Sequence, residues 1–162
     1  MTFDVRIEDA RWNETGLETV CEKVFQNVLT YFDMDSVNYE ADLLACDDAE
    51  ILALNQQFRN KSTATNVLSW PSRDRRSPVE GVPPNTLDAG QDSFLGDIAI
   101  SYETCLREAQ ETQKDFEHHF THLLVHGLLH LLGFDHEYER DARIMEKIET
   151  EILGKMGIDA PY

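Results

Sequence analysis

The chain has 162 residues, 41% of them hydrophobic, and a formal net charge of −17. That length predicts one domain over residues 1–162 with a proper core; no apolar run reaches the roughly 20 residues of a membrane-spanning helix, and Met1-Thr-Phe-Asp-Val-Arg-Ile-Glu-Asp has no basic or apolar signal region. The charge argues against casual nucleic-acid binding, because phosphate contacts dominate such affinity, and Cys21, Cys46 and Cys105, with no C-x-x-C pair, read as reduced, buried thiols of a cytoplasmic protein.

Phe3, Val5 and Ile7 alternate with polar residues and predict a strand over 2–8. Leu17, Val20, Cys21, Val24, Phe25, Val28 and Leu29 fall at three- and four-residue intervals, giving an amphipathic helix over 15–32 with Asn13 or Thr15 as its cap. Val37, Tyr39, Ala41 and Leu43 predict a second strand ending near Cys46. Asp47 and Asp48 then open a helix, where negative charge is favourable against the dipole, with Ile51, Leu54 and Phe58 on its inner face. Val67 to Trp70 is a short strand ended by Pro71.

Residues 71–93 hold four of the five prolines and read as a long loop of functional interest. A buried strand over 94–101 and a helix over 102–114 follow. The next helix, over 116–132, carries the histidines. The last, over 138–155, places Ile144, Ile148 and Ile152 on one face. The expected class is α+β, a small mixed sheet packed by about five helices.

Charge is unevenly spread. Residues 59–79 carry five basic and one acidic side chain, while the segments on either side are strongly acidic. This island (Arg59, Lys61, Arg73, Arg75 and Arg76) could focus field on one cleft or be an ordinary solvated loop.

All six histidines fall within 118–136, and His126-Gly-Leu-Leu-His130-Leu-Leu-Gly133-Phe-Asp-His136 has the pattern H-x-x-x-H-x-x-G-x-x-H. Residues four apart share a helix face, so His126 and His130 can address one ion. Gly133 can stop the helix and let His136 return as a third ligand. Three imidazoles with one open position describe a catalytic zinc site, one ion per chain, although imidazoles also suit copper, nickel or iron. Metzincin peptidases share the ligand pattern but carry a glutamate base where Gly127 stands. Alternatives stay open at three positions. His122 could join an i, i+4 ladder with His126 or support it from behind. Asp135 could be a ligand or base, or could orient an imidazole or cap the turn. Asp97 could stand behind the metal or end a strand.

The motif H-G-x-L-H-L-x-G-[aromatic]-D-H resembles the signature of the YbeY family of bacterial metal-dependent endoribonucleases, also called rRNA maturation factors. Three further stretches are similar to that family in order: Leu54-Asn55-Gln56-Gln57-Phe58-Arg59, Thr65-Asn66-Val67-Leu68-Ser69-Trp70-Pro71, and Leu95-Gly96-Asp97-Ile98-Ala99-Ile100-Ser101. Asn66 departs from the pattern, where the family more often has Asp. The resemblance implies a metal at the base of a cleft beside the sheet. It also implies zinc-dependent cleavage of single-stranded RNA in rRNA maturation, including small-subunit rRNA 3′ end processing and ribosome quality control. The implied partners are rRNA precursors and the ribosomal small subunit. The implied catalytic set is Arg59, His126, His130 and His136, with Arg59 holding the scissile phosphate. Two other classes fit the residues: a metal hydrolase or peptidase with metzincin-like geometry, and a ribosome-assembly factor whose metal is structural.

Overall fold

The computed structural model describes residues 3–85 and 87–162. In chain order they form β1 (Phe3–Ile7), α1 (Leu17–Tyr31), β2 (Glu40–Cys46), α2 (Asp48–Arg59), β3 (Val67–Pro71), β4 (Phe94–Ser101), α3 (Tyr102–Glu111), α4 (Phe116–Leu131) and α5 (Glu139–Lys155), with short 3-10 turns at Ala10–Glu14 and Ser36–Asn38. The sheet order is β1-β2-β4-β3, with β1, β2 and β4 parallel and β3 antiparallel to β4. The expected α+β class, a mixed sheet with five helices, is what the described residues form.

The sheet's two inner strands differ in pattern for a physical reason. β2 alternates Ala41, Leu43 and Ala45 inward with Glu40 and Asp42 outward, as suits a strand with one wet face. β4 buries Leu95, Ile98, Ala99 and Ile100 in a nearly continuous run. One face of the sheet is covered by α1 and α4, whose Val20, Val24, Val28, Leu124 and Leu128 share the main core. Gly127 marks how tightly α4 seats there: an added Cβ would stand 3.1 Å from Ile98 Cδ1. The position following the first motif histidine therefore faces the sheet, and a side chain there would need Ile98 to give way.

Several expectations needed correction. Neither Asn13 nor Thr15 caps α1; Gly16 does, at φ 75°. The intervening 3-10 turn exists because Trp12 is fully buried and donates its indole N–H to the Cys46 carbonyl at 3.0 Å. Thr15 is used there, its hydroxyl donating to the Trp12 carbonyl. Val37 does not begin β2. The Asp35 carboxylate accepts from the Val37 N–H, winding that segment into a turn that leaves Val37 73% exposed. Phe58, expected inside, is 60% exposed and meets Trp70 edge-on at the sheet's open face. The buried position beside it is Asn55, whose amide donates to the Thr63 carbonyl. Cys21, Cys46 and Cys105 are buried free thiols. Among the described residues no helix is long and apolar enough to cross a membrane.

Candidate functional site

The histidine motif folds by the chemistry of its last turn. α4 ends at Leu131, and Gly133 takes φ 104°. The Phe134 N–H donates to the Leu129 carbonyl and the Gly133 N–H to the His130 carbonyl, both at 3.0 Å. This is the paired bonding of a Schellman cap. Glycine is required twice over, because a Cβ at 133 would also stand 2.4 Å from the Arg75 carbonyl oxygen. The turn brings His136 back beside the helix, with Asp135 accepting from the His136 N–H at 2.8 Å. Of the readings open for Asp135, the turn-capping one describes this contact.

His126, His130 and His136 each offer a ring nitrogen, and these atoms lie within 4.8 Å of one another. Two of the rings have their protons assigned by what lies behind them. His126 Nδ1 is 3.0 Å from Glu149 Oε2, and His130 Nδ1 is 2.9 Å from the Phe134 carbonyl. Both acceptors call for N–H at Nδ1, which leaves lone pairs on the two Nε2 atoms, 3.0 Å apart. Two imidazoles on one zinc, each about 2.0–2.1 Å from it at a tetrahedral angle, put their nitrogens roughly 3.3 Å apart. Burial, then the neighbouring His126 and His136, push the His130 imidazole down to about 4, so its neutral form prevails at pH 7. The donor set fits a metal ion.

His122 is not in this group. Its Nε2 sits 2.5 Å from Glu149 Oε1, and it is outside the set of nitrogens that lie within 4.8 Å of one another. Glu149, on α5, is fully buried and bridges His122 and His126. Burial works to raise its carboxyl, but the hydrogen bonds from His122 and His126 outweigh it and hold it at about 2. The Tyr162 hydroxyl also donates to Glu149, at 2.9 Å. Burial and that carboxylate push the phenol above its ordinary range.

Glu149 and Tyr162 were both missed in the sequence. For Glu149 a signal was there: with Met145, Ile148 and Ile152 it lies on the buried stripe of α5, where an acid is costly unless paired. Nothing local marked Tyr162.

The imidazoles line a cleft of about 720 Å³, walled by Arg59, Asn66, Ser69, Arg73, Arg76 and Tyr162 among others. Arg59 therefore shares the cleft with all three motif histidines. The basic island is not uniform, however. Arg75 is buried, its guanidinium donating to Asp92, to the Leu95 carbonyl and to the Leu131 carbonyl at 2.9 Å. It ties the long loop to the end of α4, where orphan carbonyls need donors, and is a strut rather than a surface charge. Arg73 is half-exposed and paired with Asp92; Arg76 is half-exposed and paired with Asp74. Asn66 spends its amide on Glu108 at 3.0 Å and its oxygen on the Val67 N–H at 2.6 Å. With Glu108 so close, a neutral amide is the better neighbour than a second carboxylate. Asp97 lies in mid-strand on the open sheet face opposite Trp70, in a different groove from the histidines.

The family model described as Endoribonuclease YbeY matches residues 2–157. Similar curated proteins carry that same name. One from Ruegeria sp. strain TM1040 is 48% identical, covering 100% of this chain and 96% of its own. One from Jannaschia sp. strain CCS1 is 44% identical with both chains fully covered, and one from Bartonella quintana is 40% identical over 100% and 97%. Among solved structures, TM1509 from Thermotoga maritima superposes with a TM-score of 0.58 over 96% of this chain and 91% of its own. At 22% identity that likeness concerns the fold alone.

Proposed function

The chain belongs to the Endoribonuclease YbeY family, and on that footing we propose that it is a zinc-dependent endoribonuclease acting on single-stranded RNA. Its substrates are rRNA precursors, including the 3′ end of the small-subunit rRNA, handled on or beside that subunit in the cytosol. The observation that carries this reading is one cleft combining three convergent imidazoles with Arg59. His126, His130 and His136 hold one ion. A zinc held there supplies Lewis-acid polarisation of a phosphoryl oxygen and activation of water. Arg59 binds the scissile phosphate through its paired N–H donors and offsets charge that builds on it. Arg73 and Arg76 steer the backbone and read no sequence. Position 127, a glycine packed against Ile98 of the sheet, supplies no carboxylate to act as a peptidase's base, which weighs against a metzincin-like protease. Parallel RNase and protease assays separate the two.

The metal assignment is tested by elemental analysis. Purified protein carries about one zinc per chain. His130→Ala and His136→Ala lose it, and His122→Ala retains it, because His122 faces Glu149. Retention in His136→Ala with loss in His122→Ala would replace the assignment by a ladder along α4.

Salt dependence tests the phosphate contacts. With Arg75 enclosed, Arg59, Lys61, Arg73 and Arg76 remain. Four contacts limit the slope of log K against log[salt] for single-stranded RNA to no steeper than about −2.8. A slope near zero would show that the island does not meet RNA.

A further inference from the structure

The cleft holds charge for a phosphate, but the residues so far described offer little to a base. Its aromatic wall residues, among those described, are Phe134 and Tyr162. Phe134 is 8% exposed, whereas Tyr162 is 62% exposed. The other exposed aromatics do not line it: Phe58 borders the groove at Trp70, Tyr138 the hollow beside Val82, and Phe94, 38% exposed, is not among the cleft's wall residues.

Tyr162 reaches the cleft by a reversal of the chain. Gly157 takes φ 78° and the Ile158 N–H donates to the Leu153 carbonyl at 2.9 Å, closing α5. Residues 158–161 then run beside His118, His119 and His122 of α4. The phenol is held by its tip, 2.9 Å from Glu149 Oε1 and 3.4 Å from His122 Nε2. The ring stands perpendicular to His122, with centroids 5.6 Å apart, and His122 in turn lies 6.4 Å from His126. One imidazole thus separates an exposed, tethered ring from the ion-binding cluster. A ring already fixed at one end loses little freedom when a flat partner lands on it.

We propose that Tyr162 is the base-stacking platform of this cleft, taking the base of the nucleotide next to the scissile phosphate; this rests on the RNA-cleaving reading above. Every base has a π face, so the platform accepts single-stranded RNA of varied sequence. A duplex, whose bases are stacked on one another, cannot use it. Glu149 serves two ends at once, holding His126 at the ion and Tyr162 at the base.

The test uses the zinc-loaded full chain and short single-stranded RNA, measuring KM and kcat for wild type, Tyr162→Ala and Tyr162→Phe. Tyr162→Ala raises KM about 5- to 100-fold, and Tyr162→Phe gives a clearly smaller rise, because the ring that stacks is kept while the hydroxyl tether to Glu149 is lost. An abasic nucleotide scanned along the RNA supplies a readout that a structural role would not move. At one position flanking the cut it raises the wild-type KM by a similar factor and leaves the Tyr162→Ala KM unchanged. Zinc content stays at the wild-type level in both variants. An unchanged KM in Tyr162→Ala, an equal loss in Tyr162→Phe, or an abasic penalty of the same size in wild type and Tyr162→Ala would overturn the platform while leaving the nuclease reading intact. Failure of the wild type to cut RNA at all would overturn that reading, and this one with it.

Discussion

Alanine at Arg59 is expected to lower RNA cleavage roughly 10²–10³-fold, the loss typical when a charge-stabilising donor is removed. Arg59 is the last residue of α2, exposed, and in the cleft that holds His126, His130 and His136. Guanidinium stays protonated and has no lone pair to give, so zinc content should not change. The competing role is a helix cap, in which a basic side chain serves the last carbonyls of α2. That role is largely filled already: Asn60 takes φ 54° and the Lys61 N–H donates to the Asn55 carbonyl at 3.1 Å. What remains for Arg59 is its interaction with the helix dipole, about 0.3–1 kcal/mol. Melting temperature should therefore move little. Arg59→Lys should recover only part of the rate, because an ammonium keeps the charge and loses the paired contact. Metal content, melting temperature and initial rate on the same three preparations decide the matter. A stable, zinc-loaded Arg59→Ala protein cutting RNA at the wild-type rate would remove Arg59 from the chemistry.

The grouping of the histidines was legible because its signals are local, whereas Arg59 was marked by the family resemblance. Spacing of four on a helix, a glycine stop and a short return can be read from eleven consecutive residues. The elements were legible for the same reason, since β4 and α4 are long runs with one strong pattern. Signals failed where a distant partner decides. The alternation at Val37 was real, but the Asp35 carboxylate two residues earlier captured the backbone. Arg75 read as surface charge because nothing nearby announces Asp92, seventeen residues on, or the carbonyl of Leu131 at the end of another element. Phe58 fitted an inner helical face, yet α2 buries only Ile51 and Asn55, and its last turn is exposed. Glu149 is an intermediate case. Its apolar neighbours showed that it would be buried, but its partners lie 23 and 27 residues away on α4.

Removing that carboxylate is expected to have the largest effect on stability of any change near the site. Glu149 has no exposed surface and accepts from His122, His126 and Tyr162. Glu149→Ala leaves those donors facing a void, and breaking such a buried pair costs about 3–5 kcal/mol. In a chain of this size that lowers the melting temperature by about 6–20 °C. Glu149→Gln separates support of the fold from support of the ion. It keeps the volume, but its single oxygen can face one imidazole only, and its amide group meets the other donor to donor. If the amide faces His126, that ring is driven to carry its proton on Nε2, the nitrogen 3.0 Å from His130 Nε2, and the lone pair aimed at the ion is lost. If the amide faces His122, that ring must carry its proton on Nδ1 and Tyr162 loses its acceptor. The expected result is zinc binding weakened about 10–100-fold, as is usual when the group behind a ligating histidine is changed, with a smaller stability loss of about 1.5–3 kcal/mol. Chelator competition gives the first quantity and denaturation of the metal-free protein the second. Undiminished zinc affinity in Glu149→Gln, alongside the stability loss, would show that the ion does not depend on the carboxylate's charge, an oxygen acceptor behind His126 being enough.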